Sequence, residues 1–332
     1  YFNTKLYTGT GATQSITGVG FQPDFVWIKS RTSTHNNQTF DVLKGVQKSI
    51  VVNENSAEIT MTNGLTAFNS DGFTIGSDDQ VNNNTQNFAS WNWLGANASS
   101  SNTDGSITSS VSANTDAGFS IVSYTGTFAN ATVGHGLGVA PKVIILKNRD
   151  TTNNWCVGHG SIGFTKHLAL NTTDASASSS VRFQDTDPTS TVYSVGVAGE
   201  TNGSGNDIIA YCFAEKKGYS KFGSYTGIAS SDSNFVYLGF KPSFLLIKNT
   251  STSGTNWHIY DNKRLGYNVD NNMLRANLDN ASQTDDDIDL LSNGFKLRRS
   301  TSALNNSGDN FIYLAFAENP FVTSSGVPAC AR

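Results

Sequence analysis

A segment of constant internal spacing recurs three times along the chain, and it limits the fold more than any other feature. Pro23 leads Asp24-Phe25-Val26-Trp27-Ile28-Lys29, Pro141 leads Lys142-Val143-Ile144-Ile145-Leu146-Lys147, and Pro242 leads Ser243-Phe244-Leu245-Leu246-Ile247-Lys248. The Pro-to-Lys distance is 6 residues each time, and a Tyr-Thr-Gly tripeptide lies 16, 17 and 17 residues before the proline. Proline cannot donate to a β ladder, so it belongs where a strand begins. The apolar run then reads as a strand buried on both faces. The lysine is read as the point where the strand re-emerges into water, which makes Lys29, Lys147 and Lys248 structural and their replacement inexpensive.

Three matching apolar stretches close the segments: Asn87 to Leu94, Asp207 to Glu215, and Asn310 to Phe321, the last stopped by Pro320. Asp71-Gly72 and Asn293-Gly294, each ahead of alternating residues, are turn signals. The middle segment has Thr191 to Val195 there and has diverged. No sustained 3.6-residue apolar period appears, and the best helical candidate, Val42 to Val51, is short. The expected fold is all-β: three tandem, jelly-roll-like β-sandwich repeats of about 95 residues, at 1–95, 118–217 and 218–321. A Ser/Asn/Gly-rich linker or loose hairpin occupies 96–117, and a tail 322–332.

Composition narrows the function. Charged residues are 14% of 332 and aromatics 11%, a mixture that suits half-buried strands and their turns. A net charge of -4 with no basic run argues against nucleic acid, and no apolar stretch is long enough for a membrane helix. The absence of Met at Tyr1 suggests a cut edge of a longer or processed chain. Cys156 and Cys212 could pair, although reduced thiols, Cys330 included, are the preferred reading.

No catalytic constellation emerges. Gly158-His159-Gly160-Ser161-Ile162-Gly163 lacks the first glycine of a nucleophile elbow, and Gly134 to Gly138 lacks dinucleotide spacing. His159 and His167 form no metal pattern, Asp285 to Asp289 reads as a solvated loop before a calcium loop, and Asp185 and Asp187 need geometry to be judged. The expectation is no enzyme, no cofactor and no metal. If the chain handles carbohydrate, Trp155, Trp257 and Tyr260 are the candidates to stack on sugar rings, with core packing as the alternative.

The Tyr-Thr-Gly and Pro-to-Lys series, Asn69 to Ser77, Gly218 to Gly227, Leu291 to Arg298 and Phe311 to Phe321 together resemble virion-associated proteins of tailed bacteriophages, marine ones above all. The tail from Ser325 to Arg332 looks like a C-terminus of such proteins. The resemblance implies a virion component of tail-fibre or capsid-surface type at the particle surface. It would contribute to host attachment, assemble as a homo-oligomer of trimer type, and contact other virion proteins and a host-surface glycan or protein, with no membrane insertion. No functional residue carries over.

Overall fold

In the computed structural model, residues 1–317 are described except 233, 265–267, 269, 270, 286 and 302. Pro320, Cys330 and the tail 322–332 lie outside the described residues. Strands take up 44% of the chain and helix 4%, so the fold is all-β with antiparallel sheets in a β-sandwich arrangement. Val42 to Val51 is no helix: turns lead into the strand Lys48–Val51.

Three large sheets, of six, eight and six strands, share one order at their centres. The Pro-to-Lys strands Phe25–Ser30, Val143–Asn148 and Pro242–Asn249 each pair on one side with a closing strand, Asn87–Trp93, Asp207–Phe213 or Asn310–Ala317. On the other side they pair with Gln38–Asp41, Cys156–His159 or His258–Asp261. Phe25, Val143 and Phe244 sit opposite Trp93, Phe213 and Phe316 respectively. Outside each large sheet lies a small one: Gln14–Thr17 with Gly72–Ile75 and Leu65–Asn69, Ala131–Gly134 with Val192–Val195, and Phe235–Tyr237 with Gly294–Leu297 and Ile288–Leu291.

Alternation along the strands explains why they read as buried on both sides. Val26, Ile28 and Phe40 point outward and pack on Ile16, Phe73 and Ile75 of the first small sheet. Phe25, Trp27, Trp91 and Trp93 point inward, where they meet Ile145, Tyr211 and Phe213 of the second large sheet and Phe244, Leu246 and Phe316 of the third. The three sheets therefore share one central core. Phe316 is its aromatic hub, within 6.1 Å, centroid to centroid, of Phe2, Trp93, Phe213, Tyr219, Phe222 and Phe244.

Residues 96–117 are not a linker. Ser100–Asn102 and Ser109–Asn114 form a hairpin that extends the second large sheet at its edge. It is anchored to the first sheet by the buried Asp24 carboxylate, which accepts from the Gly95 amide at 2.8 Å, the Asn97 amide at 3.0 Å and the Ser112 hydroxyl at 3.1 Å. Cys156 and Cys212 are both buried free thiols.

Candidate functional site

The chemistry-bearing side chains gather where one large sheet meets the next. The three lysines correct the sequence reading, because none re-emerges into water and all are fully buried. Lys29 Nζ donates to the Asp279 carbonyl of the third segment at 3.1 Å and to Ser30 at 2.8 Å. Lys147 Nζ reaches the Asn55 carbonyl of the first at 3.1 Å and Asn153 at 2.8 Å. Lys248 Nζ reaches the Thr173 carbonyl of the second at 3.2 Å and that of Thr255 at 2.6 Å. The contacts run cyclically: first to third, second to first, third to second. Burial removes water from the ammonium and lowers the pKa of Lys29 to about 7 and those of Lys147 and Lys248 to about 8.

Of the side chains proposed to stack on sugars, Trp155 and Trp257 belong to the same joints and Tyr260 to the outer core of the third segment. Trp155 and Trp257 are each 1% exposed and Tyr260 2%, so none presents a free face to a ligand. Trp155 Nε1 donates to the Val51 carbonyl and Trp257 Nε1 to that of Ala169, both at 2.9 Å. Asn37 holds the corresponding place in the first segment and donates to the Arg275 carbonyl at 3.2 Å. Tyr260 donates to the Asp287 carboxylate at 3.2 Å. A pattern that alternates in sequence is here a pattern of core and joint.

Two buried ion pairs complete the joints. Asp41 pairs with Lys44 at 3.0 Å and accepts from the Tyr211 hydroxyl at 2.7 Å. Asp261 pairs with Arg264 at 2.7 Å and accepts from Trp91 Nε1 at 3.0 Å. The third equivalent holds His159, with Nδ1 accepting from the Ser161 amide at 3.1 Å and Nε2 lying 3.4 Å from the Tyr313 carbonyl. Burial drops the pKa of this imidazole to about 4. Its ring is thus committed to backbone partners, and the Ser161 backbone, not its hydroxyl, faces it. His167 lies on another strand, and Asp185 and Asp187 are exposed on a turn. Of the acidic run, Asp289 pairs with Arg298 at 3.3 Å and Asp287 lies near Arg299, while Asp286 is outside the described residues.

Sequence reasoning missed one set of residues. Asn82, Asn202 and Asn305 are fully buried, and each amide donates to two loop carbonyls: Ala12 and Gly76, Ala129 and Gly196, Ser230 and Arg299. The tyrosine of each Tyr-Thr-Gly donates to the carbonyl just before the asparagine, at Val81, Thr201 or Leu304. The glycine is required by close approach. A Cβ on Gly9, Gly126 or Gly227 would lie 2.1, 2.2 or 2.2 Å from a carbonyl oxygen of the same loop.

Two cavities stand out. A void of about 20 Å³ lies at the centre of the shared core, too small and too apolar for a ligand. A cleft of about 540 Å³ opens between the second and third large sheets, lined by Ser161, Lys166, Ser176, Thr250 and Asn310 among others. Its counterpart between the first and second is filled by Arg149, bidentate on Glu58 at 2.8 and 3.2 Å. In the open cleft Ser176 Oγ donates to the Thr250 carbonyl and Thr250 Oγ1 to that of Asn310, so two of its hydroxyls are already engaged.

A family model described as "Domain of unknown function (DUF7483)" matches residues 1–320. The chain belongs to that family. The DUF7483 match spans all three large sheets at once, as expected of sheets that share a core. No curated protein matches the chain.

Proposed function

We propose that the chain is a non-enzymatic structural component of a tailed-bacteriophage particle, a tail fibre or capsid-surface appendage, that contributes to attachment at the host surface. One observation supports this reading above the others: the buried lysines, indoles and ion pairs are used to fasten one sheet to the next. A rigid β scaffold carrying its loops outward is the arrangement that surface recognition uses. The proposal includes self-association as a homotrimer and contact with other virion proteins. The inner apolar faces are already covered within one chain, so self-association uses outer faces. No helix among the described residues is long and apolar enough to cross a membrane.

Peptide mass spectrometry of purified particles of the encoding phage tests the location. Recovery of this chain at a fixed copy number per particle is expected, and its absence from intact particles refutes the reading. Sustained release of reducing sugar from a polysaccharide by the purified chain refutes the non-enzymatic part. Sedimentation as a monomer at every concentration refutes the trimer.

A further inference from the structure

The three small sheets use equivalent positions very differently on their outward faces. In the first, one row across the strands is Thr17, Gly72 and Asn69, and the next is Ser15, Thr74 and Ala67. These are small groups that satisfy one another: the Ser15 and Thr74 hydroxyls are 3.0 Å apart, and Asn69 Nδ2 donates to Thr74 Oγ1 at 2.8 Å. In the second, the edge strand is covered by the loop of the added hairpin. Thr132 accepts from the Ser106 amide at 2.9 Å and the Ile107 amide at 3.0 Å, and Asn102 lies against Gly134.

Among the described residues no loop covers the third sheet, and its outward rows carry large rings in place of small hydroxyls. Its rows are Tyr237, Gly294, Leu291 and Phe235, Lys296, Asp289. Tyr237 is 56% exposed and Phe235 46%, although Val236 between them is buried. Both rings lie close to glycine: a Cβ on Gly294 would stand 3.0 Å from Phe235 Cε2, and one on Gly239 3.5 Å from the Tyr237 hydroxyl. Lys221 holds the edge, donating to the Tyr237 carbonyl at 2.7 Å with its ammonium 5.4 Å from the ring centroid. Around the rings, Lys296 pairs with Asp232 at 2.5 Å and Arg298 with Asp289 at 3.3 Å.

We propose that this face binds a neutral saccharide, with Phe235 and Tyr237 stacking on sugar rings and Lys296, Asp289 and Arg298 hydrogen-bonding to hydroxyls. The electron-rich face of an aromatic ring attracts the polarised C–H groups on the flat face of a sugar. Side chains two apart on a strand stand about 7 Å from each other, the scale of adjoining rings in an oligosaccharide. Lys296 and Arg298 are each matched by a carboxylate, and the Lys221 ammonium is turned onto a carbonyl and the Tyr237 ring, which suits an uncharged ligand rich in donors and acceptors over a polyanion. Two rings and one leucine broken by charged rows also fall well short of the roughly 800 Å² that each partner of a stable protein interface buries. The proposal deepens the attachment reading and rests on it for the setting, a glycan on a cell surface.

Affinity electrophoresis of the full chain in gels containing laminarin, galactomannan or xylan, with alginate as the anionic comparison, tests it. Retardation is expected in at least one neutral gel. Tyr237→Ala and Phe235→Ala should each weaken it tenfold or more, whereas Phe128→Ala, at a loop 51% exposed elsewhere, should not. The double variant Phe235→Ser, Tyr237→Thr installs the residues found at Ser15 and Thr17, so it should fold and abolish retardation. No retardation in any neutral gel, retardation in alginate alone, or undiminished retardation of the double variant overturns the proposal. A chain found in particles but never retarded sinks this proposal only; one retarded but absent from particles sinks the virion reading and keeps the site.

Discussion

Replacing Lys248 with Met tests the joints most directly. The ammonium is fully buried and donates to the carbonyls of Thr173 and Thr255. Burial holds its pKa at about 8, against 10.5 when free. A lysine whose pKa is lowered on folding binds fewer protons folded than unfolded, so its contribution to stability rises with pH and is lost as pH falls towards the folded pKa. Between pH 7 and 9.5 that difference amounts to about 2 kcal/mol for this one residue. Met removes the charge and its cost but leaves buried carbonyls unpaired, at about 1–3 kcal/mol. Near pH 7 these effects largely cancel. Near pH 9.5, where the neutral amine still donates, the variant should be less stable than the wild type by about 2 kcal/mol. Guanidinium titrations of both proteins at pH 7 and 9.5 and constant ionic strength measure this. If both respond equally to pH, Lys248 does not titrate from a buried position and the account of the joints is wrong.

Phe316→Ala removes the hub of the shared core and should cost about 3–5 kcal/mol in the same titration; a neutral result would mean that the three inner faces are not one core. Burial lowers the pKa of His159 to about 4 and that of His258 to about 3. Both imidazoles therefore fold neutral, and stability should fall as pH drops below 6.5, by about 2 kcal/mol each by pH 4.5. Thermal melts should show the double variant His159→Gln, His258→Gln losing most of that acid sensitivity. Cys156 and Cys212 are buried with thiol pKa values pushed up by desolvation, so neither should react with a thiol reagent until the chain unfolds.

The Pro-to-Lys strands were legible because a short apolar run between fixed punctuation has few other uses, and Asp71-Gly72 and Asn293-Gly294 placed their hairpins. Asp24 to Ile28 said that both faces are buried but not what buries them, and so the common core stayed hidden. A lysine ending such a run looks the same whether water or a neighbour's carbonyl awaits it, which is why Lys29, Lys147 and Lys248 were misplaced. Trp155 and Trp257 were open to either reading for the same reason. Asn82, Asn202 and Asn305 could have been found, since each lies five residues before its closing strand at Asn87, Asp207 or Asn310. Phe235-Val236-Tyr237 alternates like any edge strand, and only comparison with Ser15 and Thr17 in space sets it apart.

The cyclic direction of the lysine contacts has a topological consequence. Because the first sheet is fastened to the third as the third is to the second, the arrangement has no structural beginning. Phe2 stacks on Phe316 with centroids 5.2 Å apart, so the first and the closing strand adjoin. Joining residues 1 and 317 through a short bridge, without residues 318–332, and reopening the chain in the exposed turn at Thr115 and Asp116, between the added hairpin and Phe119–Thr125, should give a circular permutant with the same three sheets. Its order along the gene would differ, and its order around the axis would not.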